Sequence, residues 1–171
     1  GEGAVRKGRE GAGMDDLPPG LGIGHAAGGV GMGDNPATAF REKKDSSLTV
    51  GLNLLKNGDG DAFVSAGSTG ALLSAATLMV KRIRGIRRAA LAPVVPTGKG
   101  GAVLIDCGAT VECTPEFLLQ FAFTGSYYAD QLLGRPAPQV GLLNIGAQPS
   151  KGAALQQQAY ALLQKAGGEG R

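Results

Sequence analysis

Residues 63–73 read FVSAGSTGALL, an apolar run, a turn of small residues, then a second apolar run. The stretch extends backward to DAFVSAG (61–67), a strand candidate, and forward to TGALLSAATLMVKRI (69–83), a helix candidate. Two elements that want burial are thus joined by a turn almost without bulk. One reading is a tight βα turn. The other is that something comes very close to the backbone there. The first turn of a helix offers unpaired N–H groups and a positive dipole end, which favour an anion. Ser65, Ser68 and Thr69 add hydroxyl donors, and Gly67 and Gly70 keep the approach open. These five residues are the candidate site for a phosphate or carboxylate.

Working outward, DNPATAF (34–40) offers Asn35 as a helix cap with Pro36 at the first helical position. KKDSSLTVGLNLLKNG (43–58) places Leu48, Leu52 and Leu55 at helical spacing, with serines to cap it and Asn-Gly to stop it. In the 69–83 helix, Leu72, Leu73, Ala76, Met79, Val80 and Ile83 cover more than one stripe, which predicts a well-buried helix. AALAPVV (89–95), AVLIDCG (102–108) and QVGLLNIG (139–146) read as strands. TPEFLLQFAFTGSYYADQLLG (114–134), with Pro115 near its start, and KGAALQQQAYALLQKAGG (151–168) read as helices. Strands alternating with helices predict βαβ units and a mostly parallel sheet. Continuous apolar strands suit burial on both faces. The fold class expected is α/β, a three-layer α/β/α sandwich.

Residues 1–33 differ. They carry glycine at short intervals, as in LPPGLGIGHAAGGVGMG (17–33), and few large apolar side chains. Such a stretch offsets its ordering entropy poorly and reads as a poorly structured segment, with the α/β domain at 34–171. The chain has 171 residues, 43% hydrophobic, with 30 glycines. Its formal net charge of +3, and the absence of Trp, do not point to nucleic acid. Cys107 and Cys113 without a secretory signal predict no disulfide framework and a reduced, cytoplasmic setting. The apolar runs fall short of a membrane span.

In open α/β sheets, ligands bind beyond the carboxyl ends of the strands. Besides the 65–70 turn, such ends carry Asp106, Gly108 and Thr110, and Asn144 and Gly146 with Lys151 soon after. REKKDSS (41–47) supplies Lys43 and Lys44, read either as a solvated basic turn or as the cation over a bound anion. We take Lys44, Asp106 and Asn144 as candidate catalytic residues, and Lys43 and Lys151 as further phosphate ligands. KRIRGIRR (81–88) gathers Lys81, Arg82, Arg84, Arg87 and Arg88. It reads as a solvated helix end or as a docking patch for an acidic partner. A Walker A loop is absent. Gly22, Gly24 and Ala27 fit G-x-G-x-x-[GA], but no apolar strand precedes them. With His25 the single histidine, a Ser-His-Asp triad is not expected. Cys107 and Cys113 lack partners for zinc, so no metal and no cofactor are expected.

NPATAFREKKDSSL (35–48), DAFVSAGSTGALL (61–73), LIDCGATVECTPEFLLQFAFTGSYYA (104–129) and VGLLNIG (140–146), followed by the Lys-Gly pair at 151–152, together resemble the bacterial phosphate acyltransferases of phospholipid synthesis, the PlsX family. The resemblance covers about residues 32–155. It implies an α/β/α sandwich like that of isocitrate and isopropylmalate dehydrogenases, incomplete here. It also implies transfer of a fatty acyl group from acyl-acyl carrier protein to inorganic phosphate, with the acyl phosphate passed to a membrane glycerol-3-phosphate acyltransferase. A cytoplasmic homodimer loosely associated with the membrane is part of the same expectation. Ser68 and Thr110 stand where the family usually has Asn, Phe117 where it commonly has His, and Ala147 where it commonly has an acidic residue. The family's first strand and about its C-terminal half have no counterpart, so a partial chain is expected. The alternative is a non-catalytic fragment that binds anions or oligomerises. A dehydrogenase on the same fold would need metal-binding aspartates and a nucleotide site that the sequence does not display.

Overall fold

The computed structural model describes residues 2–11, 13, 18–98, 100–148 and 150–169. The chain divides into two compact units, Gly1–Arg82 and Ile83–Arg171.

The first unit holds helices α1 (Glu2–Gly11), α2 (Ala39–Glu42), α3 (Ser47–Asn57) and α4 (Thr69–Ala75), the last continuing as a π-helical turn over Ala76–Val80. The α3 boundaries follow local chemistry. Ser46 Oγ accepts from the Thr49 N–H at 3.3 Å, and Gly58 ends the helix at φ 85 with its N–H turned back onto Leu54 and Leu55. Asn35 helps start α2 from one turn upstream. Its Oδ1 accepts from Ala37 N–H, and its carbonyl accepts from Thr38 and Ala39. The cap position is Thr38 rather than the expected Asn35. Phe40, Leu48, Leu52, Ala71 and Ala75 form the core, with Val30, Leu55, Phe63, Leu72 and Met79 packed against it.

Two expectations change in this unit. The 69–83 helix was predicted to be buried on several stripes and to run to Ile83. It ends at Lys81, and Val80 and Ile83 are exposed. Widening from i→i+4 to i→i+5 bonding shifts the side-chain phase, so Leu78 and Val80 leave the buried stripe while Met79 stays packed against the core. The 61–67 strand forms no ladder among the described residues, and Val64 is 93% exposed. An apolar run states a demand for burial; a strand needs, in addition, a neighbour to bond. Within residues 1–33, α1 is helical and Gly28 bridges Ser46, its N–H donating to Asp45 and its carbonyl accepting from Ser47.

The second unit contains β1 (Val94–Thr97), β2 (Gly100–Val103), α5 (Pro115–Gln131) and α6 (Ala154–Glu169). The fold is thus mixed helix and sheet, of the α/β kind. The sheet is an antiparallel hairpin pairing Val94 with Val103 and Thr97 with Gly100. The expected parallel pairing is corrected here. A link this short can join only antiparallel strands, since a parallel crossover needs about a dozen residues or more. The pairing continues less regularly through Leu104 N–H to Pro93 O and Cys107 N–H to Leu91 O. Residues 139–146, expected as a strand, form no ladder among the described residues, and Leu143 and Ile145 are exposed. Helix α5 starts as its sequence dictates, with Thr114 Oγ1 accepting from Phe117 N–H and Pro115 at the first position. It packs on α6, and Phe121, Gly125 and Ala129 of α5 and Ala159 of α6 are buried.

Candidate functional site

In the first unit, residues 63–68 line a cleft of about 340 Å³ together with Val30, Ser47, Leu48 and Ala71. Ser65 Oγ accepts from Gly67 N–H at 3.2 Å and Ser68 Oγ caps α4 from Ala71 N–H at 3.4 Å. Two of the N–H groups expected to face an anion are therefore already engaged by neighbouring serines. A hydroxyl that accepts one bond still has a hydrogen to donate, so both serines keep donor capacity at the cleft. Thr69 and Gly70 open α4 and do not line the cleft. The close approach that the small-residue turn predicted is real at Gly70, where an added Cβ would lie 3.2 Å from Pro36 Cβ. The partner there is the 35–38 turn of the same chain.

The lysines diverge. Lys43 Nζ is 2.6 Å from Asp34 Oδ2 and 3.4 Å from Gly29 O. The hydrogen bond from Lys43, with that from Gly31 N–H, holds the Asp34 carboxyl below its usual range. Lys44 is exposed in the adjoining turn. Neither lysine lines the cleft. Beneath this turn, Thr49 Oγ1 donates to the carbonyl of Phe40 or Lys43 and pairs with Ser46 Oγ. The turn is therefore fixed from below by buried hydroxyls.

In the second unit, Asp106 is a hub. Its Oδ1 accepts from Leu91 N–H (2.8 Å) and Ala109 N–H (3.2 Å), and its Oδ2 from Thr110 N–H (2.7 Å). Asp106 and Thr110 belong to the wall of a larger cleft of about 590 Å³. Val103, Leu104, Ile105, Phe121, Ala122 and Leu142 give that wall an apolar character. Cys113 lies in the same wall, where burial pushes its thiol up. Asn144 Nδ2 donates to Lys151 O at 2.9 Å, and Gln157 Nε2 donates to Ser150 O and Gly152 O. Asn144 and Lys151 are thus brought together, through the Lys151 backbone.

The basic run is split between the units. Lys81 and Arg82 are exposed after the π turn, and the expected helix end at 81–88 is irregular chain. Arg84, Arg87 and Arg88 are exposed in the second unit. Two residues not anticipated from the sequence also act in the second unit. Gln120 bonds the backbone of 85–88. Arg135 lies against Gly100, where an added Cβ would come within 2.6 Å of its guanidinium. The signal for Gln120 was a lone amide in the apolar EFLLQFAF stretch, four residues after Glu116. Among the described residues, no group of His, Cys, Asp or Glu could hold a metal ion, and no helix is long and apolar enough to cross a membrane.

The family model described as fatty acid synthesis protein matches residues 17–170, a span that includes both clefts. The chain belongs to this family. Within the fatty acid synthesis protein family, it is 48% identical over 145 residues to the phosphate acyltransferase of Desulforamulus reducens, covering 85% of this chain and 44% of that protein. Its identity to the phosphate acyltransferase of Desulfitobacterium hafniense is 50% over 151 residues, covering 88% and 45%. For Clostridium acetobutylicum it is 48% over 134 residues, covering 78% and 40%. The chain spans less than half the length of each of these relatives. The membership agrees with the resemblance carried by 35–48, 61–73 and 104–129.

Proposed function

We propose that this chain is part of a phosphate acyltransferase that moves a long-chain acyl group from acyl-acyl carrier protein to inorganic phosphate, in phospholipid synthesis. The observation that carries the reading is identity of 48–50% to relatives named phosphate acyltransferase. In this reading residues 34–171 belong to one domain of a three-layer α/β/α sandwich, in a cytoplasmic homodimer that associates loosely with the membrane. A membrane glycerol-3-phosphate acyltransferase consumes the product.

The chemistry asks little of protein nucleophiles. A phosphate oxygen attacks the thioester carbonyl carbon, the C–S bond breaks, and the proton phosphate gives up goes to the departing thiolate. What the protein must supply is positioning and donors for developing charge. We assign phosphate to the 65–70 turn, with the Ser65, Ser68 and Thr69 hydroxyls as donors and Gly67 keeping the backbone accessible, while Gly70 makes room for Pro36. Lys44 is its cation, since Lys43 is already held by Asp34. Lys151 is a further cation for the anionic reactants. Asp106 acts by holding the 106–110 turn and Asn144 by closing the loop to Lys151. The apolar wall of the second unit's cleft receives the hydrocarbon chain. Lys81, Arg82, Arg84, Arg87 and Arg88 attract the acidic carrier.

Calorimetric titration with phosphate tests the site. Thr69→Val and Lys44→Ala should each weaken binding, and unchanged affinity in both removes the turn from consideration. Phosphate-dependent release of free carrier tests the reaction. Phosphate binding without release in a well-folded protein favours the alternative, a non-catalytic anion-binding fragment.

A further inference from the structure

Gln120 makes an unusual set of bonds for one surface amide. Its Oε1 accepts from Arg87 N–H at 2.8 Å and from Arg88 N–H at 3.3 Å, and its Nε2 donates to Gly85 O at 3.0 Å. One side chain of α5 therefore fixes two donors and one acceptor of the 85–88 backbone. The stretch is tied a second time. Arg88 Nε donates to Thr110 Oγ1 at 3.3 Å, and Leu91 N–H donates to Asp106. Gly85, at φ 92, provides the left-handed bend from which the segment departs. The result is an irregular stretch whose backbone is fixed while the side chains of Arg84, Arg87 and Arg88 stay exposed.

We propose that Gln120 is a positioning residue for a docking surface: it presents Arg87 and Arg88 in one geometry to an acidic protein partner. The inference rests on the acyl carrier protein as that partner and adds the device that orders the surface. Its physical basis separates two effects. Electrostatic steering depends on how many charges face the solvent, so the association rate and its salt dependence belong to the arginines. Ordering a loop and its long side chains on binding costs affinity, so a loop already ordered dissociates more slowly. Gln120 carries no charge and should act on the second effect alone. Glu116, four residues earlier on α5, has its carboxyl lowered first by the Thr114 hydroxyl and its own backbone N–H, and least by the charge of Arg87. It trims the positive surface without cancelling it.

The test measures association and dissociation of purified acyl carrier protein with the full chain at several salt concentrations. Gln120→Leu, with Gln120→Met as a second variant of similar shape, should leave the association rate and salt slope unchanged. Dissociation should quicken roughly two- to tenfold. Hydrogen exchange at the Arg87 and Arg88 amides should rise in both variants, which verifies that the clamp has opened. Replacing Arg87 and Arg88 with Glu should instead slow association and flatten the salt slope. Opened amides with a wild-type dissociation rate would overturn the positioning role while leaving the carrier reading intact. Salt-independent association in the wild type, unaffected by the Arg replacements, would overturn both.

Discussion

Gly51 of α3 faces the ring of Phe63 so closely that a single added Cβ would overlap it. This contact seats the otherwise unpaired 61–66 stretch on the first unit's core and so fixes one wall of the 65–68 cleft. Two effects of Gly51→Ala compete. Helix propensity favours alanine by about 1 kcal/mol. Overpacking against the ring costs about 1–3 kcal/mol. The clash should win, giving a net loss of about 1 kcal/mol, and phosphate affinity should fall as Phe63 moves. Denaturant unfolding checks the sign. A stabilised Gly51→Ala variant would mean that the ring swings aside freely.

The Asp34–Lys43 pair makes a pH prediction. Asp34 is depressed in the folded chain, first by the hydrogen bond from Lys43 and then by Gly31 N–H. A depressed carboxylate contributes stability that is present above its unfolded pKa and is lost as pH falls through the folded value. The tie to residues 29–31 should therefore persist through the ordinary aspartate range and release only below it. Asp34→Asn should remove this part of the acid response and free Lys43. Following the Asp34 side-chain carbonyl by NMR during an acid titration, in the wild type and in Lys43→Ala, reads it directly. A midpoint that does not rise in Lys43→Ala would rule out the lysine as the cause.

How far the sequence could be read depended on whether the deciding partner was local. Ser46, Gly58, Thr114 and Pro115 act within one helical turn, and the ends of α3 and the start of α5 follow from them. The small residues at 65–70 announced a close approach, and Ser65 and Ser68 do line a cleft. Their sequence could not say that Pro36 is what meets Gly70. Nor could it say that Asp34, nine residues away, takes Lys43. Strand pairing failed for the same reason. FVSA and LLNI state an apolar demand, but neither forms a ladder among the described residues, and the hairpin direction depended on a short glycine-rich link. Gln120 stood out only as a lone amide in an apolar stretch, and its role could not be read because its three partners lie more than thirty residues upstream.

Filling the second unit's cleft tests where the hydrocarbon chain goes. Ala122 lies on α5 in the cleft wall, beside Phe121 and Leu118. Each methylene excluded from an apolar site forfeits about 0.8 kcal/mol. Ala122→Trp should exclude several, lowering affinity for a fluorescent long-chain fatty acid by about tenfold or more. Phosphate binding at the 65–70 turn should not change. Equal probe affinity in both proteins would reject the cleft as the chain's receptacle. Conversion of a dimer to a monomer without any loss of probe affinity would instead mark it as a surface between copies.

Asp106 separates a reacting carboxylate from a structural one. Both of its oxygens accept backbone N–H groups, from Leu91, Ala109 and Thr110. Asp106→Asn keeps the shape but turns one acceptor into an NH2 donor facing a donor. That leaves at least one N–H unpaired, at a cost of about 1–3 kcal/mol. If Asp106 works by holding the turn, the variant should lose stability of that order. Exchange should quicken at the Leu91, Ala109 and Thr110 amides, and Arg88 should lose its bond to the Thr110 hydroxyl as the turn relaxes. A carboxylate that works by chemistry predicts the reverse: unchanged unfolding and exchange, with phosphate-dependent carrier release abolished. Unfolding and amide exchange measured on one Asp106→Asn sample decide between them, because a turn that stays closed without the carboxylate cannot have depended on it.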